Sequence, residues 1–174
     1  LKGNVDIKHL QGDMTCEQGY LLVNKEFAQC RHKVKSNIFD LDNGDQLKVN
    51  ADIVKMWFQT GRAKYQGQVK GKVLRKFSYE PGLDFDAENL TFYRSDLSAE
   101  FEGEVHFNYQ GVKSRSGRAE LYLENYNKEL KYYVLYDDIE VEQNVIDAKG
   151  KKVTRKAYSE ILEAFNQQRK VVLK

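Results

Sequence analysis

The chain has 174 residues, of which 41% are hydrophobic and 31% charged, and its formal net charge is +2. That size supports a sizeable core, the composition excludes a disordered chain, and the small net charge gives no reason to expect a nucleic-acid partner. Two cysteines are too few for a disulfide scaffold, and no apolar run approaches the roughly 20 residues of a membrane-spanning helix. Because the chain begins at Leu1 rather than Met, we expect a signal peptide or membrane anchor to precede it.

Alternation of apolar and polar residues predicts strands along the whole chain. In chain order, the predicted pairs are residues 14–23 with 28–34, 47–58 with 63–73, 83–93 with 97–109, and 116–123 with 130–141. Turn signals separate them at residues 24–26, 42–45, 59–61, 80–82, 94–96, 124–127, 147–150 and 166–168. A fifth opening strand covers residues 152–165, followed by half a closing strand at 171–173. A helix over residues 158–165 is the alternative, and the repeat register favours the strand.

The returning strands repeat one seven-residue pattern. Residues 63–69 and 99–105 both read small, polar, aromatic, polar, Gly, polar, Val, and they lie 36 residues apart. Residues 28–34 carry the pattern 35 residues earlier with His32 in place of Gly, and residues 133–139 are a degenerate copy 34 residues after the third. A fixed period of this size indicates an array of similar structural units. The sequence therefore predicts an all-β protein with four to five repeats in a single domain, residues 1–174.

The opening strands repeat a step in which Ala precedes an acidic residue. The predicted equivalents are Cys16-Glu17 and residues 50–52, 86–88, 118–120 and 156–158. The apolar face changes parity just after this step, because Val49 and Ala51 lie on one face while Val54 and Met56 lie on the other. A one-residue bulge would return all four to the same side. We therefore expect each opening strand to bend there, by a bulge or otherwise, and to curl the sheet around its interior.

This cadence resembles the OstA-like domain of the lipopolysaccharide-transport bridge, the family of the soluble periplasmic LptA and of the periplasmic part of LptC. The motif is carried by residues 50–52 with 67–69 and 86–88 with 103–105, with weaker copies at 118–120 with 137–139 and 156–158 with 171–173. The resemblance covers nearly the whole chain. It implies an open β-jelly roll of stacked V-shaped two-strand rungs with a continuous hydrophobic groove. It also implies a periplasmic protein that shields the lipid A acyl chains of lipopolysaccharide on the way to the outer membrane, as the soluble bridge or as the anchored component.

Alternation places one set of apolar side chains inside, and the resemblance makes them the candidate lipid-binding groove. This set is Leu21, Met56, Tyr65, Val69, Phe85, Leu90, Phe92, Phe101, Val105, Phe107, Leu121, Leu123, Leu135 and Ile139. Recurring small inward residues would leave room for a ligand: Ala51, Ala63, Gly67, Ala87, Ala99 and Gly103. The alternative is a closed core in a structural β-repeat interaction module without a lipid ligand. A glycan-binding jelly-roll enzyme is disfavoured, because no paired carboxylates accompany an aromatic cleft.

The strand edges form a second candidate site. An unclosed stack leaves an unpaired strand at each end, here predicted at Val171, Val172 and Leu173 and near Met14. Edge-strand addition would join the chain to other jelly-roll components of the bridge or to further copies of itself, head to tail.

The remaining polar residues predict no chemistry. His9, His32 and His106 are scattered, no nucleophile motif or phosphate loop is present, and we expect no catalysis, no cofactor and no metal. Basic clusters at residues 31–35, 70–76, 113–118 and 149–152 are typical of solvated faces, with contact to lipid A phosphates as the alternative. The acids Glu17, Asp52, Glu88 and Glu120 are expected to pair with neighbours or cap exposed amides. The hairpin register places Cys16 opposite Val34 rather than Cys30, so we do not expect a disulfide.

Overall fold

The computed structural model describes residues 2–9, 12–39, 44–77, 79–124, 130–165, 168 and 170–174. These residues form one antiparallel sheet of 11 strands that neighbour one another in chain order. The strands are β1 (Lys2–His9), β2 (Gly12–Leu22), β3 (Phe27–Phe39), β4 (Gln46–Trp57), β5 (Arg62–Leu74), β6 (Leu83–Tyr93), β7 (Ser98–Tyr109), β8 (Val112–Leu123), β9 (Leu130–Ile146), β10 (Lys152–Phe165) and β11 (Lys170–Leu173). A single 3-10 turn at Val23–Lys25 joins β2 to β3. The all-β prediction is confirmed.

The structure resolves one alternative left by the sequence analysis and adds one strand that was not predicted. Residues 158–165 belong to β10, so the strand prediction is confirmed over the helix. The strand β1 was not predicted, because only Val5 and Ile7 interrupt its polar sequence. Since β1 pairs with β2, the edge of the sheet is β1, and the prediction of an edge near Met14 was wrong. The turn residues 42–43, 125–127 and 166–167 lie outside the described residues.

All rungs bend at the same register position, and the extra residue sits in the returning strand. Residues 67–69 of β5 lie opposite only Ala51 and Asp52 of β4. Each returning strand carries two consecutive residues with positive φ at this point: His32-Lys33, Gly67-Gln68, Gly103-Glu104 and Asp137-Asp138. The parity change in the opening strand is real, since Ala51 and Val54 are both buried. The expected bend of the opening strand at this step is confirmed. The extra residue lies in the returning strand, where Gly67 and Gly103 readily adopt the positive φ that the bulge requires.

The bend folds every strand back on itself. Phe101 and Phe107 are six positions apart in β7, which would separate them by about 20 Å in a straight strand, yet their ring centroids are 5.1 Å apart. Phe85 likewise contacts Phe101 across the bend at 5.2 Å. The sheet therefore has two facing arms. The first arm holds the parts of β2, β4, β6, β8 and β10 before the bend with the parts of β1, β3, β5, β7 and β9 after it, and the second arm holds the rest.

The fourth and fifth opening strands are offset from their predicted registers. The counterparts of Ala51-Asp52 are Ser116-Gly117 in β8 and Ser159-Glu160 in β10. The predicted equivalents, residues 118–120 and 156–158, were therefore wrong by three and two positions. Ala119 instead lies at the fully buried position that corresponds to Val54. It was mistaken for the Ala of the repeated step because an acidic residue, Glu120, follows it.

This offset explains why the fourth returning strand lacks the repeated glycine. A Cβ on Gly67 would overlap the Asp52 carboxylate, and a Cβ on Gly103 would overlap that of Glu88. In the fourth rung the two roles exchange strands: Gly117 lies in β8, and its added Cβ would be 2.9 Å from the Cβ of Asp137 in β9. An acidic side chain thus lies over a glycine in three successive rungs.

The disulfide expectation was also wrong, because Cys16 and Cys30 are bonded, with their Cα atoms 5.9 Å apart. Cys30 pairs in register with Gly19, as a flat hairpin predicts. However, Cys16 lies beside the bend at the end of the first arm, and Cys30 lies beside the bend on the second arm, both on the inner face. Folding of the rung brings the two thiols together across the interior, where their residues are 5% and 0% exposed. The bond therefore ties the two arms of the N-terminal rungs.

Candidate binding groove and sheet edges

The predicted groove residues separate by depth. Those near the bend, called here the apex, are almost completely buried in one cluster: Tyr65, Val69, Phe85, Leu90, Phe101, Val105, Leu135 and Ile139. Those farther from the bend, called the mouth, are partly exposed and pack on that cluster: Met56, Phe92, Phe107 and Leu121. Leu123 is half-buried at the end of β8. Side chains fill the apex, so the accessible apolar surface of the groove lies along the mouth.

The mouth contains residues that the sequence analysis missed. Leu47 extends the inner face of Val49, and Tyr133 and Val141 extend the inner face of β9. Tyr133 pairs in register with Leu121, so the two mouth residues lie side by side on the second arm. Period-two alternation continued outward from Val49 would have found Leu47. Alternation continued outward from Leu135 and Ile139 would likewise have found Tyr133 and Val141.

Leu21 departs from the predicted enclosure, because it is 60% exposed. It pairs with the buried Ala28, so it does lie on the inner face of the sheet. However, among the described residues β1 pairs with β2 only as far as Gln18, so it does not extend to Leu21. Leu21 therefore lines the open N-terminal end of the groove on the second arm.

Aromatic rings dominate the interior of the middle rungs. Tyr65 meets Phe92 edge-on at 6.1 Å, which links an apex residue to a mouth residue. Burial raises the pKa of the Tyr65 hydroxyl, and the Ser36 hydroxyl offsets part of this rise. Burial also raises the pKa of Tyr133 at the mouth. Both phenols therefore stay neutral at physiological pH and present an uncharged lining.

Several charged residues form ion pairs on the outer surface. Lys33 contacts Glu17 at 2.7 Å, and this hydrogen bond and charge lower the pKa of Glu17. Glu120 accepts hydrogen bonds from Tyr122 and Tyr136. The described residues include no group of His, Cys, Asp or Glu that could hold a metal ion. Within the same residues, no helix has the length and apolarity to span a membrane.

An aromatic row on the outer face of the second arm was not recognised from the sequence. Its members are successive cross-strand partners from β3 to β10: Phe27, Trp57, Arg62, Tyr93, Ser98, Tyr122, Tyr132 and Phe165. Tyr122 and Tyr132 stack at 4.4 Å, and the Arg62 guanidinium lies 5.2 Å from the Trp57 ring. Because the rings stack on one another, the row stabilises strand pairing rather than presenting ring faces to a ligand.

The two edges of the sheet have complementary outlines. The edge strand β11, with Val171, Val172 and Leu173, covers only the second arm of β10. In the described chain, the first arm of β10 pairs with β9 alone. At the other edge β1 covers the first arm of β2 and the bend, and leaves the second arm uncovered. Each edge therefore projects where the other is recessed.

Comparison with known proteins supports the fold. No family model matches the chain, and no curated protein matches it. Among solved structures it is similar to LptH of Pseudomonas aeruginosa, described as the LptA-homologous periplasmic component of the lipopolysaccharide transport device. The match has a TM-score of 0.55 at 7% identity and covers 82% of this chain and 92% of LptH. The resemblance seen in the sequence is thus confirmed in structure, and the chain has the open β-jelly-roll fold of LptH.

Proposed function

We propose that the chain is a periplasmic carrier module that shields lipopolysaccharide acyl chains along the mouth of its groove. The observation that carries the proposal is the continuous line of partly exposed apolar side chains on the inner face of an LptH-like fold. Met56, Phe92 and Leu121 belong to successive rungs of the second arm, and Phe107 faces them from the first arm. An acyl chain laid along this line would gain about 0.8 kcal/mol for each methylene removed from water. Such binding needs no polar recognition and no catalytic group.

The disulfide supports the proposed compartment. Cys16 and Cys30 account for both cysteines of the chain, and they are bonded. Disulfides persist in oxidising compartments such as the bacterial periplasm and are rare in the cytosol. The bond also holds the arms together beside the open N-terminal end of the groove.

The filled apex constrains how a lipid binds. Leu90, Val105 and Leu135 have no more than 1% of their surface exposed, so an acyl chain cannot replace solvent there without moving the arms. We therefore place the ligand between the mouth residues, with the apex acting as the floor of the groove. Lipid binding would add apolar contacts above this floor and leave the strand register unchanged.

A displacement assay with a fluorescent lipopolysaccharide tests the carrier proposal, and adjacent residues of β2 provide a matched pair. Leu21 and Tyr20 are 60% and 57% exposed, but they lie on opposite faces of the strand. We expect Leu21→Glu to weaken binding about tenfold, because a charge at the groove cannot contact an acyl chain without losing hydration. Tyr20→Glu should bind like the parent chain. Phe92→Glu tests the middle of the mouth, with circular dichroism as the check on folding. Absence of saturable binding, or equal loss in both β2 variants, would refute the proposal.

The edges support a second part of the proposal, head-to-tail joining with further copies or with other jelly-roll components. By register, Lys170–Leu173 of β11 corresponds to residues 62–65 of β5, and Lys2–His9 of β1 corresponds to residues 66–73. The two half-strands of neighbouring copies would together make one returning strand between β10 of one copy and β2 of the next. The sheet and its groove would then continue from copy to copy.

One substitution removes an outward hydrogen-bond donor of β11. Lys174 and Ile161 exchange both backbone hydrogen bonds, so alternation directs the N–H groups of Val171 and Leu173 away from β10. We expect Val171→Pro to lower the oligomer fraction in concentration-dependent size-exclusion chromatography. Val171→Thr, which keeps the N–H group, is the control. If Val171→Pro leaves the oligomers intact, β11 is not the joining edge.

A further inference from the structure

The connection between β5 and β6 differs from the other turns of the sheet. It spans residues 75–82, longer than any other interval between consecutive strands, and contains the only proline, Pro81. It extends beyond the end of the first arm, next to the mouth of the groove. All of its residues except residue 78 are described.

Arg75 holds this loop against the turn between β3 and β4. Its guanidinium contacts the Asp45 carboxylate at 2.8 Å and the Glu80 carboxylate at 3.3 Å. Asp45 also accepts a hydrogen bond from the backbone N–H of Lys76 at 3.0 Å. The Arg75 side chain is only 26% exposed and that of Asp45 only 11%, so this ion pair is better shielded than most surface pairs. The loop therefore has a fixed base.

On this base the loop displays two aromatic rings. Phe77 is 45% exposed and Tyr79 is 79% exposed, and their rings stack at 5.4 Å with an angle of 13° between the planes. Tyr79 is the most exposed large apolar or aromatic side chain among the described residues. An ordered, exposed aromatic pair with a polar hydroxyl group suits an interface that is apolar on one side and wet on the other.

Lysines surround the aromatic pair. The Lys76 ammonium lies 5.3 Å from the centre of the Phe77 ring. Lys72 and Phe77 line the same surface depression of about 250 Å³. Lys48 lies directly opposite Lys72 in the sheet, which places two like charges side by side. Lys72 is paired with the Asp84 carboxylate at 3.3 Å. Lys48 and Lys76 therefore supply the positive charge that an anionic partner would meet, and such a partner would also relieve the repulsion between Lys48 and Lys72.

We propose that this loop is a contact site for the surface of an anionic lipid bilayer. Phe77 and Tyr79 would enter the headgroup region, while Lys48 and Lys76 would meet lipid phosphates. Charge complementarity with Lys48 and Lys76, together with the exposed aromatic rings, favours this partner over an apolar protein groove, which would leave these two lysines without counter-charges. The site is separate from the lipid-binding mouth, so it does not depend on the proposed carrier function. It would bring the open groove close to the membrane at which a lipid enters or leaves.

Vesicle co-sedimentation tests the proposal without lipopolysaccharide. We expect the chain to bind vesicles of phosphatidylglycerol mixed with phosphatidylcholine, and to bind phosphatidylcholine vesicles at least about tenfold more weakly. The double variant Phe77→Ser/Tyr79→Ser should lose about tenfold in partitioning, because the apolar area available for insertion is removed. Phe58→Ser is the matched control, since Phe58 is 55% exposed on a turn of the opposite arm. It should partition like the parent chain.

Further measurements separate the outcomes. Lys76→Gln should weaken binding about fivefold at low salt and have little effect at high salt, where surface attraction is screened. Leu21→Glu should leave vesicle binding unchanged, which separates a failure of this proposal from a failure of the carrier proposal. Equal vesicle binding by parent and double variant would overturn the inference. The inference would also be overturned if the parent chain bound no vesicles while the loop variants lost binding to a protein partner. That result would identify the loop as a protein-docking site.

Discussion

The glycine beneath each acidic side chain permits a quantitative test of the bend. At Gly103, φ is +77°, and an added Cβ would lie 2.6 Å from Cδ and 2.7 Å from Cγ of Glu88. Gly103→Ala therefore has two costs: about 1–2 kcal/mol for a left-handed backbone with a Cβ, and about 1 kcal/mol for forcing the Glu88 side chain from its position. We expect unfolding free energy to fall by about 2–3 kcal/mol, or roughly 4–12 °C in Tm.

Two companion variants separate these costs. Gly111 has the same φ of +77°, but nothing lies within 4 Å of its added Cβ, so Gly111→Ala should show the backbone cost alone. In the double variant Glu88→Ala/Gly103→Ala the carboxylate is gone, and the coupling between the two sites should recover about 1 kcal/mol. Urea denaturation of five chains measures each quantity: the parent, Gly103→Ala, Gly111→Ala, the double variant, and the single variant Glu88→Ala that the coupling requires. If Gly103→Ala costs no more than Gly111→Ala, or if the double variant shows no coupling, the acid-over-glycine explanation is wrong.

Three other predictions follow from the interior. The double variant Cys16→Ser/Cys30→Ser should lower unfolding free energy by about 3 kcal/mol, as judged from the 14-residue separation; a parent chain insensitive to reductant would contradict this. Because the folded pKa of Tyr65 is raised, the stabilising contribution of its neutral form is complete below pH 10 and is lost as pH rises above the unfolded value of 10.0. Alkaline denaturation should thus begin at higher pH in Tyr65→Phe, and an unchanged profile would exclude the phenol as a cause. Phe101→Ala should cost about 3–5 kcal/mol in chemical denaturation, since Phe101 lies on the second arm and packs on two rings of the first; a loss below 1 kcal/mol would mean that the arms do not pack through this ring.

Side-chain alternation determined much of the fold, because strand periodicity and face are local properties. It placed Leu90, Phe101 and Leu135 inside, and each has at most 2% of its surface exposed. It also located the bend, since the parity change after Ala51 marks where the rung folds. These inferences needed only the residues of one strand and its neighbour.

The errors came from contacts that depend on the whole fold. The Cys16–Cys30 bond requires the two arms to face each other, which a flat hairpin does not reveal. The exchange of roles between Gly117 and Asp137 requires both sides of the pair to be compared. The exposure of Leu21 depends on how far β1 extends along β2. In each case the missing information was the position of a residue on another strand.

The common bend position has a consequence for the size of such proteins. Since every hairpin folds at one place and hydrogen-bonds identically to the next, a block of 35 or 36 residues can be gained or lost without altering the cross-section. Each added hairpin would lengthen the trough by two strand spacings, roughly 10 Å. Reach is therefore adjustable through gene duplication alone, and relatives spanning different distances could keep the same cargo geometry.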